Sequence, residues 1–167
     1  MRHSGSATAA VTSYDEPWGA IDDGGDVVSD VVYRADPLIR IGWVRDGLPA
    51  EVLPAMSAAM AVPREVLYTT LGLARATVSR KLQAGQRLSS DESERVLGLL
   101  RLIGQANALV AESGRPEGFD AARWVARWLD RPVPALGGLR PADLMDTGEG
   151  RELVSNLLAR MQSGAYA

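Results

Sequence analysis

Apolar residues recur at helical spacing through most of this chain, and the gaps between the runs hold proline, glycine or a capping side chain. Pro37 suits a first helical position after an Asp36 cap, and Leu38, Ile41 and Val44 or Arg45 follow on one predicted face before Gly47. Pro49 and Pro54 each suit the start of the next helix, which runs to about Ala61. Pro63 opens another, through Leu67 and Leu71 to Gly72. Ser89-Ser90-Asp91-Glu92 reads as a capping box, the Ser89 hydroxyl accepting from the backbone N–H three residues on and Glu92 reaching back. It begins the longest predicted helix, whose stripe of Val96, Leu99, Leu100, Ile103, Ala106 and Val110 lasts until Gly114 and Pro116. Phe119, Trp124, Val125, Trp128 and Leu129 mark a further apolar face that Pro132 terminates. Leu153, Val154, Leu157, Leu158 and Met161 form the stripe of a last helix, with Gly164 just past its end. No repeat and no sheet pattern interrupts this series, so the expected fold is all-α.

Residues 1–36 break the pattern. They are rich in Ser, Ala, Gly and Asp, with Asp22-Asp23-Gly24-Gly25-Asp26 the most turn-prone point, and the expectation is a flexible acidic extension. Val27-Val28 and Val31-Val32-Tyr33 are too brief to separate a short strand from an ordered edge.

Charge sharpens the picture more than composition does. Residues 1–60 carry four arginines against nine acids, and residues 90–167 carry nine basic residues against eleven acids. Residues 61–89 carry five basic residues and one acid, so positive charge is concentrated in one short central segment of a chain whose net charge is -3. Such a patch is the footprint of a phosphate-contacting element. With no cysteine and one histidine, His3, the chain holds no disulfide, thiolate nucleophile or zinc ribbon, and no metal or cofactor is expected. Phosphate-loop and Gly-x-Ser-x-Gly signatures are lacking and no histidine is placed to activate a serine, so an enzyme is not expected. The richest apolar run, Val52 to Val62, is broken by Pro54 and Ser57, and no basic-then-apolar leader opens the chain. No membrane association is expected, and the expected location is the cytoplasm.

The basic segment spans Pro63 to Ala84, where a short helix meets Gly72-Leu73 and a second helix carries Arg75, Thr77, Ser79, Arg80 and Lys81. It reads as a helix–turn–helix: Leu67, Leu71, Leu73, Val78 and Leu82 face inward, and the polar residues between them face a major groove. An ordinary helical hairpin with a solvated face fits the same pattern. Tyr68, four residues before Gly72, is bulky where a helix–turn–helix usually has a small residue.

At the other end, the segment Arg131 to Pro141 holds Gly137, Gly138 and three prolines, as a rigid surface connection would. After Gly164 come Ala165, Tyr166 and Ala167. A terminal ring with one hydroxyl and a carboxylate suits insertion into a pocket, although fraying is the norm for chain ends.

Gly42, Arg45, Asp46, Gly47, Leu48 and Pro49, then Leu88-Ser89, Asp91-Glu92-Ser93 and Arg95, then Arg127-Trp128-Leu129, Pro132, Ala135-Leu136-Gly137-Gly138, Pro141, Asp143-Leu144, Asp146-Thr147, Glu149-Gly150, Gly164 and Tyr166 stand at a spacing that resembles the Xre/MbcA/ParS antitoxins. The resemblance covers roughly Leu38 to Ala167. It implies a helix–turn–helix-like N-terminal region and a C-terminal helical toxin-binding domain, linked by the long helix, with boundaries at residues 1–36, 37–114 and 115–167. It also implies an antitoxin that dimerises, binds its own operator DNA, and neutralises a RES-domain toxin that degrades NAD+, by obstructing the toxin's cleft with the C-terminal end. On that basis Arg75, Thr77, Ser79, Arg80 and Lys81 would meet DNA. Arg127, Trp128, Gly137, Gly138, Gly164, Ala165, Tyr166 and Ala167 would meet the toxin. The rival reading is a stand-alone transcriptional regulator whose C-terminal module only dimerises.

Overall fold

A computed structural model of the chain describes residues 16–23, 25–114 and 116–162. Its described residues form eight α-helices: α1 Gly25–Arg34, α2 Pro37–Asp46, α3 Val52–Met60, α4 Arg64–Leu71, α5 Arg75–Ala84, α6 Ser90–Glu112, α7 Ala121–Leu129 and α8 Gly148–Gln162. Short 3-10 segments at Pro17–Asp23, Pro134–Leu136 and Pro141–Leu144 complete them. The all-α expectation holds.

The predicted caps are present. The Asp36 carboxylate accepts from the Leu38 N–H at 2.8 Å, with Pro37 in the first turn of α2. At the start of α6, Ser89 Oγ accepts from Glu92 N at 3.1 Å while Glu92 Oε2 accepts from Ser89 N at 2.7 Å. Asp120, which the sequence pattern did not single out, also caps α7 through the Arg123 N–H.

From Val96 to Ala106, α6 is buried on almost every side, with only Gly98 and Arg101 left toward one flank. A helix apolar around its whole circumference must be enclosed by others, and α1, α2, α7 and α8 all pack on it. The resulting core is continuous from Trp18 to Leu158.

The expectation of a flexible N-terminal extension fails for its described part. Residues 25–34 are helical, neither strand nor edge, and Val28 and Val32 are fully buried against α6. The valine doublets are read correctly only in a helix, where the first residue of each forms one stripe and the second another. Their spacing of four was the overlooked signal.

A second correction concerns α2. Leu38 and Ile41 are exposed, and Trp43 is the buried anchor, set edge-on to Trp18 at 5.5 Å between ring centroids. Asp30 accepts from Asn107 Nδ2 at 2.9 Å, and Arg40 donates to the carbonyls of Val32, Tyr33 and Ala35, so both ends of this corner are held by side chains.

Two motif fragments meet across the molecule. Leu88 N donates to Leu48 O at 2.8 Å, Pro49 and Arg87 form an isolated antiparallel bridge, and the buried Ser93 hydroxyl accepts from Leu48 N at 2.9 Å. Gly47, at φ 81°, sits so close that a Cβ there would overlap the Leu88 carbonyl. That approach explains why glycine precedes Leu48-Pro49.

At the crossing of α1 and α6, a Cβ on Gly104 would collide with the Ser29 carbonyl oxygen and lie 2.6 Å from Tyr33 Cβ. Gly42, inside α2, has open space at the same position. Replacing Gly104 by alanine is therefore expected to destabilise the fold by about 1–3 kcal/mol through overpacking. The matched Gly42→Ala change should stabilise it by about 0.5–1 kcal/mol through helix propensity. Urea denaturation followed by circular dichroism checks the opposite signs.

Candidate DNA-binding and toxin-binding surfaces

Between α4 and α5 the chain turns in three residues. Gly72 adopts φ 65°, its N–H donates to Thr69 O at 3.1 Å, and Leu73 N donates to Tyr68 O at 2.8 Å. Arg95 fastens this turn to α6, donating to Gly72 O at 2.7 Å while its other nitrogen pairs with Asp91 at 2.8 Å. Leu67, Leu71, Leu73 and Val78 are buried, as the helix–turn–helix reading requires, and Leu82 is half-buried. Tyr68 is buried too, so the bulky ring joins the core and the turn forms around it.

The five residues assigned to DNA divide. Arg75, Ser79 and Arg80 are exposed on α5, and Thr77 is half-buried. Arg75 reaches back to Glu65 on α4 at 3.3 Å, both side chains being well solvated. Arg80 makes no ion pair among the described residues. Lys81 does not face outward: its ammonium meets Glu92 at 2.5 Å, with both side chains only 15% exposed. Period-based reading put Lys81 on the outer face because its partner lies eleven residues away on another helix.

That pair joins the recognition helix to the capping box of α6. Burial pushes the Glu92 carboxyl upward, but hydrogen bonds from Lys81 and Ser89 and the Lys81 charge outweigh it and hold the group below its ordinary 4.5. A carboxylate depressed on folding adds stability above its unfolded pKa and loses it as pH falls through the folded value. Glu92→Gln is thus expected to cost about 1–2 kcal/mol at pH 7, because it keeps the capping acceptor but removes the charge that meets Lys81. The deficit should shrink as pH falls from the ordinary carboxylate range through the lower folded value, as thermal denaturation of both forms across pH 3–7 would show.

In the C-terminal region, Phe119, Trp124 and Trp128 form an aromatic ladder, the two indoles stacked at 5.8 Å and 10°. Trp128 is buried with Val125 and Leu129. It shapes α7 from within instead of offering a surface.

Arg127, by contrast, is exposed and has no ion pair among the described residues. It lines a groove of about 720 Å³ between α7 and α4, with Glu65 and Val66 on one wall and Arg123 and Arg140 on the other side. Arg123, Arg140 and the half-exposed Val66 were not singled out from sequence. Because Glu65 also holds Arg75, this groove and the recognition helix share one ion pair.

Gly137 and Gly138, at φ 65° and 85°, close a tight loop. Gly138 N donates to Val133 O at 3.1 Å, and Val133 N donates to Leu139 O at 3.0 Å. Two successive left-handed residues exclude most other side chains. Arg140 locks the loop's base, meeting Asp130 and Asp143 at 2.8 Å each, and Leu139 stands exposed beside it. The remaining assigned residues, Gly164, Ala165, Tyr166 and Ala167, lie outside the described residues. Among the described residues no helix is long and apolar enough to cross a membrane.

Comparison with known proteins agrees with this geometry. Residues 41–101 match the Antitoxin Xre-like helix-turn-helix domain, and residues 117–164 match the Antitoxin Xre/MbcA/ParS C-terminal toxin-binding domain. The chain is 48% identical over 136 residues to the Prs ADP-ribosylating antitoxin of Sphingobium sp. (strain YBL2), covering 81% of this chain and 86% of that protein. It is 22% identical over 129 residues to an Antitoxin Xre of Yersinia enterocolitica, covering 77% of this chain and 82% of that protein. This chain belongs to the Xre/MbcA/ParS antitoxin family. It is an antitoxin of a toxin–antitoxin system, built with a helix–turn–helix domain.

Proposed function

We propose that this antitoxin neutralises a RES-domain toxin that consumes NAD+, and that it represses its own operon as a dimer through α5. The observation that carries the first half is the free Arg127 guanidinium. It shares a groove with Arg140, the residue that locks the Gly137-Gly138 loop, inside the region that matches the toxin-binding domain. A rigid loop with an exposed Leu139 and an unpaired arginine offers an apolar anchor next to a charge, the combination that partner proteins use. Ala165, Tyr166 and Ala167 follow α8 in the chain and supply the blocking tail in this reading.

The Sphingobium relative's name supports an NAD+-consuming target and refines it. ADP-ribosylation breaks the bond between nicotinamide and ribose and passes ADP-ribose to an acceptor group. NAD+ degradation breaks the same bond with water as acceptor. Occlusion of the NAD+ cleft by the tail stops either reaction, so the inhibitory mechanism does not depend on which acceptor the toxin uses.

Co-expression with the neighbouring toxin reading frame tests the first half. Full-length antitoxin should co-purify with the toxin and preserve cellular NAD+, whereas the form lacking Ala165 to Ala167 should let NAD+ fall. Preserved NAD+ with the truncated form would refute tail occlusion.

For the second half, exposed Arg75 and Arg80 are the phosphate or base contacts that α5 offers. Arg80→Ala is expected to weaken binding to the promoter in an electrophoretic shift assay. For a phosphate contact, it should also lower the slope of log affinity against log salt by about one.

A further inference from the structure

The basic segment 61–89 holds five cations, and four of them lie on α4 and α5: Arg64, Arg75, Arg80 and Lys81. The fifth, Arg87, stands three residues beyond the end of α5, in the link to α6. Every residue from Gln83 to Arg87 is exposed, so the open surface of the recognition helix runs unbroken into this link. The link is held firmly. Ala50 N donates to Gln86 O at 3.3 Å, Pro49 and Arg87 form the antiparallel bridge, and Leu88 is buried just beyond. Arg87 Nη1 also donates to Gly47 O at 2.6 Å, so the guanidinium is positioned by the backbone of the domain itself.

An acid from outside the matched helix–turn–helix domain holds the same guanidinium. Glu16, immediately before the 3-10 segment Pro17–Asp23, accepts from Arg87 with both oxygens, Nη1 to Oε1 at 3.0 Å and Nη2 to Oε2 at 2.8 Å. Arginine makes the same two-pronged contact with phosphate. The Glu16 hydrogen bonds raise the Arg87 pKa against the opposing effect of burial, and the charges of Glu16 and Asp46 add to the rise. Yet the pair is solvated, with Arg87 46% and Glu16 36% exposed, and solvated pairs part at small cost. Nor does Glu16 alone seat its element, because Trp18 is buried edge-on to Trp43.

We infer that Arg87 is a contact for the phosphate backbone of DNA, and that Glu16 occupies its fork in the free antitoxin. On α5, Lys81 is withdrawn to Glu92 and Arg75 turns to Glu65, which leaves Arg80 as the cation without an ion pair among the described residues. Arg87 adds a phosphate donor at the far end of the same exposed run. Binding DNA exchanges one anion for another at this guanidinium, and the competing carboxylate lowers operator affinity. The Gly47 carbonyl keeps the arginine in place through the exchange.

The inference rests on the operator binding proposed above, and the test tells the two apart. Affinity of the full-length chain for its promoter DNA is measured by fluorescence anisotropy between about 50 and 200 mM salt. Glu16→Gln should bind about two- to five-fold tighter at the low-salt end. Its slope of log affinity against log salt should steepen by about one, because one more phosphate is neutralised. Adding Arg87→Gln to Glu16→Gln should erase both gains with helical circular dichroism unchanged. Adding Arg87→Lys, which still meets a phosphate as a point charge, should keep the steeper slope. Unchanged affinity and slope for Glu16→Gln would overturn the inference, as would an equal gain from that change in the Arg87→Gln background, which marks a general charge effect. Arg80→Ala is scored alongside. Weaker binding by Arg80→Ala with no response to Glu16→Gln leaves operator binding standing and removes Arg87 from it, whereas no binding by any form at low salt sinks both.

Discussion

Enclosure of α6 is the constraint on which the rest depends. A helix buried around most of its circumference cannot persist without neighbours on each side, so α1, α2, α7 and α8 are obligatory walls. Polar links at the seams fix where each wall sits. Gln105 and Ser155 exchange hydrogen bonds at 3.0 and 2.7 Å between α6 and α8, and Ser93 holds the Leu48 backbone. Satisfied buried polar groups of this kind are costly to break and so register one helix against the next.

Both functional regions hang from this helix at identifiable points. The recognition helix α5 is tied to its start by Lys81 and Glu92, and the turn before α5 by Arg95. Farther along the chain, Arg151 extends across Gly98 and donates to Met145 O at 3.1 Å, which seats α8 and the segment before it. A Cβ at Gly98 would lie 2.6 Å from Arg151 Cδ, so a larger residue there would require the Arg151 side chain to move aside. Small residues on α6 thus mark where a neighbour comes nearest.

What could be read along the chain was whatever is written locally. The Asp36 and Ser89 caps, the glycine at the end of α4 and the apolar stripe of α6 involve residues within four positions of one another, and the structure reproduces them. Features that depend on distant partners were hidden. Lys81 looked like a surface cation because Glu92 is on another helix, and Trp43 was missed in favour of Leu38 and Ile41 because Trp18 comes from an unexpected element. Helix α1 was passed over because its acidic, glycine-rich surroundings resemble a linker, while Val28 and Val32 are buried on α6, a distant element that approaches closely at Gly104. At the candidate site, Arg127 and the paired glycines were visible through family spacing. The groove that gathers Arg123, Arg140 and Val66 required the tertiary fold.

The continuous core also bears on how such antitoxins diverge. Helix α7, within the part matched to the toxin-binding domain, packs on α3, which lies wholly within the part matched to the helix–turn–helix domain, and on α6, whose first half lies there. Neither part can be exchanged for a relative's without the facing surface of the other. The two matched parts are therefore inherited as a single unit, and a change on one side of this seam must be met by a change on the other.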